Sequence, residues 1–388
     1  MIEIAFPPPN ERIVLAGLLT STQNPRLFEE DMQEMQMLCR TAGADVVETV
    51  VQKREKPTAS TYLGSGKIKE IRGILKQHKS KTLVIDAELS PGQIRTIEKL
   101  IGGKVIDRSQ LILDIFAQHA RTNEARIQVE LAQLRTLYPR LTHAWTHFSE
   151  QFGGIGTRGP GEKQLEVDRR LIQKKISDLN QKLKKIEQTR QTQRKSRHNV
   201  FKVALVGYTN VGKSSLLNSL CGSRALVENK LFATLDTTTR RTYLKGIGDV
   251  IISDTVGFIR KLPHHLVASF KSTLEVVREA DLLLLVMDAS SEWSAQQLAT
   301  VREVLDELDV HNMARQVVFN KMDLVVDPFV RKQLMLAFPE ALFVSAFDES
   351  DIEKLKQHMA DQIRDFRREE AKSEIIHRES RTAIARKG

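Results

Sequence analysis

The stretch that most constrains this chain is Gly207-Tyr208-Thr209-Asn210-Val211-Gly212-Lys213-Ser214, which fits G-x-x-x-x-G-K-[ST]. The apolar run Val203-Ala204-Leu205-Val206 before it reads as a buried strand, and Ser215 to Leu220 after it reads as the start of a helix. A glycine-rich turn between a strand and a helix points successive backbone N–H groups inward, and the helix N-terminus adds its positive dipole end. Such a loop holds a polyphosphate, with Lys213 reaching the outer phosphates and the Ser214 hydroxyl offered to Mg2+. A chance glycine-rich turn would carry the pattern without the flanking strand and helix.

Three further segments end apolar strands. Asp254-Thr255-Val256-Gly257 follows Val250-Ile251-Ile252, Asn320-Lys321-Met322-Asp323 follows Val317-Val318-Phe319, and Ser345-Ala346-Phe347 follows Leu342-Phe343-Val344. Open α/β sheets bind ligands at the C-terminal ends of their strands. The order and spacing match the nucleotide motifs of GTPases. Asp323 is the base reader: one carboxylate accepts from both the N1–H and the exocyclic amino group of guanine. Adenine offers no such pair, and a site built around hydrogen bonds rejects a ligand that lacks them. The nucleotides are GTP and GDP.

At 388 residues the chain is long enough for two or three domains. Charged residues make up 28% and no apolar run approaches a membrane span, so no stable membrane insertion is expected. The start, Met1-Ile2-Glu3-Ile4, lacks a signal-peptide layout, and the two cysteines, Cys39 and Cys221, read as buried thiols of a cytoplasmic protein. The net charge of +10 hints at an anionic partner, and its location matters more than its size.

Residues 12 to 106 alternate strand and helix patterns. The strands are Ile13 to Ala16, Val46 to Val50, Leu83 to Ile85 and Lys104 to Ile106; the helices are Leu27 to Arg40, Ile68 to His78 and Pro91 to Ile101. That alternation predicts a small parallel α/β domain over 1–121. Gly64-Ser65-Gly66-Lys67 resembles a truncated phosphate loop but lacks the full spacing, and is read as a helix entry or a backbone contact to a polyanion. Asp86 and Asp107, at strand ends, are expected to cap the helices that follow.

An arm follows over 122–198. Ile127, Leu131, Leu134 and Tyr138 form one apolar seam; Leu165, Ile172, Ile176, Leu179, Leu183 and Ile186 form another at heptad spacing. The separation between them, containing Pro139, Pro160 and a glycine cluster, predicts an antiparallel helical hairpin. Residues 162 to 198 carry twelve Lys and Arg against five Asp and Glu, a surplus of seven positive charges. The tip, Gly153 to Gly161, happens to contain G-x-G-x-x-G, but no strand precedes it. With Trp145, His147, Phe148 and Arg158 nearby it suits single-stranded or looped RNA, whose bases stack on such groups; a linker is the alternative. The C-terminal nucleotide domain spans 199–367, and 368–388 form a polar tail that reads as a frayed helix or a disordered segment.

The whole resembles the HflX family of ribosome-associated GTPases. The resemblance covers nearly the entire chain and rests on Tyr62-Leu63-Gly64-Ser65-Gly66-Lys67, on Arg158-Gly159-Pro160-Gly161-Glu162-Lys163-Gln164-Leu165-Glu166, and on Phe232-Ala233-Thr234-Leu235-Asp236. It implies a monomer that binds the large ribosomal subunit and its rRNA, places the hairpin tip near the peptidyl-transferase centre and splits stalled ribosomes under stress. By the same resemblance Thr234 joins Ser214 in the Mg2+ shell, with Thr237, Thr238 and Thr239 as nearby rivals, and Asp254 holds the metal through water. The Gly257 N–H then senses the γ-phosphate. Asn210 occupies the position that binds K+ in related potassium-activated GTPases. Two departures stand out: Thr237 where the family usually has proline, and Lys163 where threonine is common. Phe258 replaces the water-orienting glutamine of many GTPases, which predicts slow intrinsic hydrolysis that a partner accelerates, and no side chain is assigned as catalytic. The rival readings are a ribosome-assembly GTPase acting on an immature large subunit and a tRNA-modification GTPase.

Overall fold

The structure, a computed structural model, describes residues 11–144, 160–194, 200–223, 231–232, 237–261, 276–307, 310 and 313–385. The chain partitions into two compact units: one gathers 1–193 with 230–236 and 260–272, the other 194–229, 237–259 and 273–388.

In the first unit, β1 (Glu11–Thr20) pairs with β2 (Ala44–Arg54) on one side and with β3 (Thr82–Ile85) on the other, and β3 pairs with β4 (Lys104–Asp107). Every pairing is parallel. Such a sheet is covered on both faces, so β1 buries the continuous run Ile13 to Leu18 instead of alternating. The covering helices are α1 (Pro25–Thr41), α2 (Ser65–Gln77) and α3 (Pro91–Ile101), close to the bounds that the apolar spacing predicts. Gly17 lets α1 approach: a Cβ there would stand 2.4 Å from the Met32 sulfur. Asn24 and Pro25 open α1, and a Ser90–Gln93 capping box with Pro91 opens α3. Gly64-Ser65-Gly66-Lys67 is the entry to α2, where Lys67 pairs with Glu70.

A fourth helix, α4 (Arg108–His119), was not expected. Nearly all of Arg108 to Phe116 is buried, so the segment carries no amphipathic period to detect. Asp107 caps it by accepting from the Gln110 N–H at 2.8 Å, as the sequence predicts. Asp86 does not cap a helix. Ser90 takes that role for α3, and the buried Asp86 carboxylate instead pairs with the Arg108 guanidinium at 2.8 Å. Cys39 is buried, and desolvation pushes its thiol up to about 12, whereas Cys221 is only partly buried.

The arm consists of α5 (Asn123–Ala144) and α6 (Pro160–Arg194). Pro139 lies inside α5, so the helix continues past the position where the sequence suggests a break. Ile127, Leu131 and Leu134 bury against Ile172 and Leu179, with Tyr138, Ile176, Leu183 and Ile186 partly buried beside them. Each fully buried side chain of this kind contributes about 1.5–3 kcal/mol. Lys174, Lys175, Lys182, Lys184 and Lys185 all remain exposed. The Leu165 side chain and residues 145–159, most of the expected tip, lie outside the described residues.

The second unit holds a six-stranded sheet in the order β10-β9-β8-β5-β7-β6. Its strands are β5 (Phe201–Gly207), β6 (Thr238–Leu244), β7 (Gly248–Asp254), β8 (Leu282–Asp288), β9 (Ala314–Asn320) and β10 (Leu342–Phe343). Only β6 is antiparallel to its neighbour. The remaining elements are α7 (Lys213–Leu220), α8 (Ser294–Glu307), a 3-10 turn (Met322–Leu324), α9 (Pro328–Ala337) and α10 (Glu349–Ala385), the last running through most of the polar tail. Strand order reverses at β5, whose neighbours β8 and β7 both come later in the chain. That reversal opens a crevice at the C-terminal ends of the strands. Among the described residues no helix is long and apolar enough to cross a membrane.

Candidate nucleotide site

The phosphate loop leaves β5 at Gly207 and enters α7 at Lys213. Both flanking glycines are required by close approaches. A Cβ on Gly207 would lie 2.1 Å from the Val286 carbonyl oxygen. Gly212 has φ +88°, and a Cβ there would lie 2.4 Å from Asn320 Nδ2. Between them Asn210 adopts φ +62°, a left-handed conformation that asparagine tolerates better than most residues. Tyr208, Thr209 and Val211 are buried, so the loop is backed by packed side chains.

Lys213 is 6% exposed, and its ammonium donates to the Gly207 and Tyr208 carbonyls at 3.2 and 2.8 Å. Desolvation lowers its pKa to about 8, opposed by the nearby Asp254 carboxylate. The next residue brings the expected metal site together: Ser214 Oγ donates to Asp254 Oδ2 at 2.5 Å. A hydroxyl beside a buried carboxylate is a hard, all-oxygen donor set that fits Mg2+. Thr255 is fully buried and its hydroxyl bonds the Leu205 carbonyl at 2.8 Å, fixing the exit from β7; Val256 is buried beside it.

Gly257 lies against the phosphate loop. A Cβ there would stand 2.8 Å from Thr209 Cα and 2.9 Å from the Lys213 amine, so no other residue fits without displacement. Phe258 continues across the loop as a one-residue parallel bridge with Tyr208. Its N–H donates to the Gly207 carbonyl at 3.1 Å, and its carbonyl accepts from Thr209 N–H at 2.7 Å. The Phe258 side chain is 2% exposed.

The base-reading loops converge on the same strand ends. Asn320 donates from Nδ2 to the Val211 carbonyl and accepts at Oδ1 from the Ala346 N–H, both at 3.0 Å. One buried side chain therefore ties the phosphate loop to the 345–347 loop. Lys321 adopts φ +63° and its ammonium pairs with Asp288 at 2.7 Å. Met322 is buried and its N–H donates to the Val344 carbonyl at 3.2 Å. The exposed Asp323 accepts from the Ser345 hydroxyl at 2.6 Å, which holds its carboxylate in place. Ser345 also accepts from Phe347 N–H, while the Phe347 ring is 81% exposed.

The structure thus brings together 207–214, 254–257, 320–323 and 345–347. Ala233, Thr234, Leu235 and Asp236 lie outside the described residues. Phe232 belongs to the first unit, where its ring packs edge-on against Phe116 with centroids 4.7 Å apart. Of the rival threonines, Thr238 and Thr239 are in β6, and the Thr239 hydroxyl bonds Ser253 at 2.9 Å. Sequence reading missed Asp288; its position at the end of the Leu-rich run Leu282–Asp288 was the available signal.

Family comparisons agree with this geometry. Residues 29–117 match the family described as GTP-binding GTPase N-terminal, 119–197 match GTP-binding GTPase Middle Region, and 202–321 match 50S ribosome-binding GTPase. The GTPase HflX of Flavobacterium psychrophilum is 48% identical over 313 residues, 81% of this chain and 76% of that protein. The GTPase HflX of Escherichia coli is 46% identical over 300 residues, 77% of this chain and 70% of that protein. Among solved structures, the GDP complex of SsGBP aligns at a TM-score of 0.51 and 25% identity, covering 91% of this chain and 99% of that one.

Proposed function

The chain belongs to the HflX family of GTPases, and from that premise we propose that it is a GTP-driven switch acting on the ribosome through the large subunit and its rRNA. The observation that carries this reading is the convergence of Lys213, Ser214 and Asp254 with Asn320, Asp323 and Ser345 at one crevice. The domain division we assign is 1–121 for the α/β domain, 122–198 for the arm, 199–367 for the GTPase domain and 368–388 for the tail. The protein acts as a monomer in the cytoplasm, where ribosomes are.

Each residue has a role that its surroundings allow. The N–H groups of 207–214 and the Lys213 ammonium hold the phosphates, and Asn320 fixes the loop against the base pocket. Asp323, oriented by Ser345, reads guanine. Ser214 and Asp254, which the structure brings together, would hold Mg2+ with Thr234. When bound, the ion would supply charge screening to the phosphates. Gly257 presents its N–H to the γ-phosphate, and loss of that phosphate releases the segments that follow. The buried Phe258 ring can neither orient nor polarise water, so hydrolysis is slow until the ribosome supplies positioning.

The exposed lysines of α6 contact rRNA phosphates, and the tip acts as the wedge that separates subunits during stress. Sedimentation on sucrose gradients with a non-hydrolysable GTP analogue tests this. Co-migration with mature large subunits and loss of the 70S peak is the expected result. Co-migration only with precursor particles would favour an assembly role, and binding to tRNA instead of ribosomes would favour tRNA modification.

A further inference from the structure

The loop that follows β10 is held from two sides by residues to which the roles above assign nothing, all of them in the second unit. On one side is Ser219, in the last turn of α7, whose hydroxyl donates to the Ala346 carbonyl at 2.6 Å. The same hydroxyl lies 3.2 Å from the Ser215 carbonyl one turn back, the partner that a helical serine ordinarily takes. The shorter contact is the one that leaves the helix. Asn320 Oδ1 occupies the Ala346 N–H at 3.0 Å, so both backbone polar groups of Ala346 are fixed by side chains.

On the other side stands Asp351, in the first turn of α10. Asp348 caps that helix, accepting from the N–H groups of Ser350 and Asp351 at 2.8 and 3.1 Å. In a capping box the residue three places on reaches back to the N–H of the cap itself. Here the Asp348 N–H donates instead to the Ser345 carbonyl at 3.1 Å. The Asp351 carboxylate, steadied by Lys354 at 3.1 Å, reaches further back and accepts from the Ser345 N–H at 3.0 Å. The main chain of the buried Ser345 is therefore held at both ends. Its hydroxyl has one hydrogen, and that hydrogen goes to Asp323 at 2.6 Å. A displacement of about 0.5 Å would carry this bond beyond the roughly 2.5–3.0 Å range of its kind.

We propose that Ser219 and Asp351 are positioning residues for guanine recognition: from the phosphate-loop helix and from the start of α10 they clamp the 345–347 loop, and so keep the Ser345 hydroxyl on Asp323. Neither side chain has to touch the nucleotide. The clamp rests on the reading of Asp323 as the base reader and deepens it. A carboxylate held in one plane meets both guanine donors at once, whereas a tilted one still accepts from the first and loses the second. What the clamp protects is thus the advantage of guanine over hypoxanthine, which keeps N1–H and lacks the exocyclic amine.

The test uses the full chain and measures dissociation constants for GDP and IDP in the parent, Ser219→Ala, Ser219→Thr and Asp351→Ala. The parent should prefer GDP by roughly ten-fold, the worth of one hydrogen bond to a charged acceptor. In Ser219→Ala and Asp351→Ala that preference should fall by about three-fold or more, within the range of one lost neutral hydrogen bond. Ser219→Thr keeps the hydroxyl and should retain the parental preference. Alanine is the best helix former, so Ser219→Ala keeps α7 intact and the test decisive even where Asp351→Ala weakens the start of α10. An unchanged preference in Ser219→Ala overturns the proposal, as does an equal loss of affinity for GDP and IDP, which would mark the bond as merely structural. A parent that binds GDP and IDP alike would instead overturn the reading of Asp323 on which the clamp depends.

Discussion

Replacing Asp323 by asparagine should transfer base preference from guanine to xanthine. The carboxylate has one oxygen bonded by the Ser345 hydroxyl at 2.6 Å, which fixes its plane without using all of its acceptor capacity. Guanine brings two donors to it, N1–H and the exocyclic amine, and each hydrogen bond to a charged partner is worth about 1.5–3 kcal/mol. Asp323 is exposed, so the lower value applies to each, about 3 kcal/mol together. Asparagine keeps one acceptor and turns the other into a donor, which faces the guanine amine donor to donor. GTP affinity should then fall about 100-fold. Xanthine carries a carbonyl where guanine carries the amine, so XTP affinity should rise by a similar factor. The Ser345 hydroxyl can rotate to accept from the new amide, and the loop remains held by Asn320, so the fold is retained. Competition binding of GTP against XTP in the parent and variant reads both changes. GTP affinity within two- or three-fold of the parent would refute Asp323 as the base reader.

The depressed Lys213 pKa gives a pH signature. With the folded value near 8, the unfolded chain binds the extra proton between about pH 8 and the ordinary lysine value of 10.5, so in that window this group makes stability rise with pH. Phosphate bound at Lys213 favours the ammonium, so GDP affinity should fall as pH rises above 8, and isothermal titration should detect proton uptake; pH-independent affinity from 7 to 10 would refute the contact. If a monovalent cation sits beside Asn210, chloride salts of K+ and Na+ at equal ionic strength should give different GTPase rates, and Asn210→Ser should erase the difference. Equal rates in the parent leave Asn210 only its left-handed loop-shaping role. Deleting Phe152 to Gly161 should leave GTP affinity unchanged while abolishing 70S splitting; normal splitting by that variant would make the tip a linker.

What was legible in the sequence was set by short-range spacing. The phosphate loop fixes its own strand and helix; the segments at 254 and 320 each end an apolar run that forms a largely buried strand, and 345 follows the short, half-buried edge strand β10. The arm was legible for the same reason: Ile127, Leu131, Leu134, Ile172 and Leu179 meet because heptad spacing puts them on one stripe. Where periodicity carried no signal, elements were missed. Helix α4 is buried almost all round, and β6 alternates exposed and half-buried polar residues at the sheet edge, so neither presents the contrast that marks a helix or a strand.

A buried ionic cluster around Arg108, in the first unit, was illegible for a different reason. Arg108 meets Glu34 across 74 positions and the Arg260 carbonyl across 152, and Lys261 meets Asp86 across 175. No local pattern separates these charges from the solvated ones that make up most of the chain's 28%. Burial makes the difference. A desolvated ion pair is weak ground for stability, because the cost of leaving water offsets much of the attraction, yet removing one partner is expensive. Such a cluster therefore fixes position more effectively than it stabilises the fold. Its basic members Arg260 and Lys261 lie just beyond Gly257 in the chain. Apolar residues of similar volume would hold the same segment at less desolvation cost, but without the directional pairing that fixes where each charge must sit.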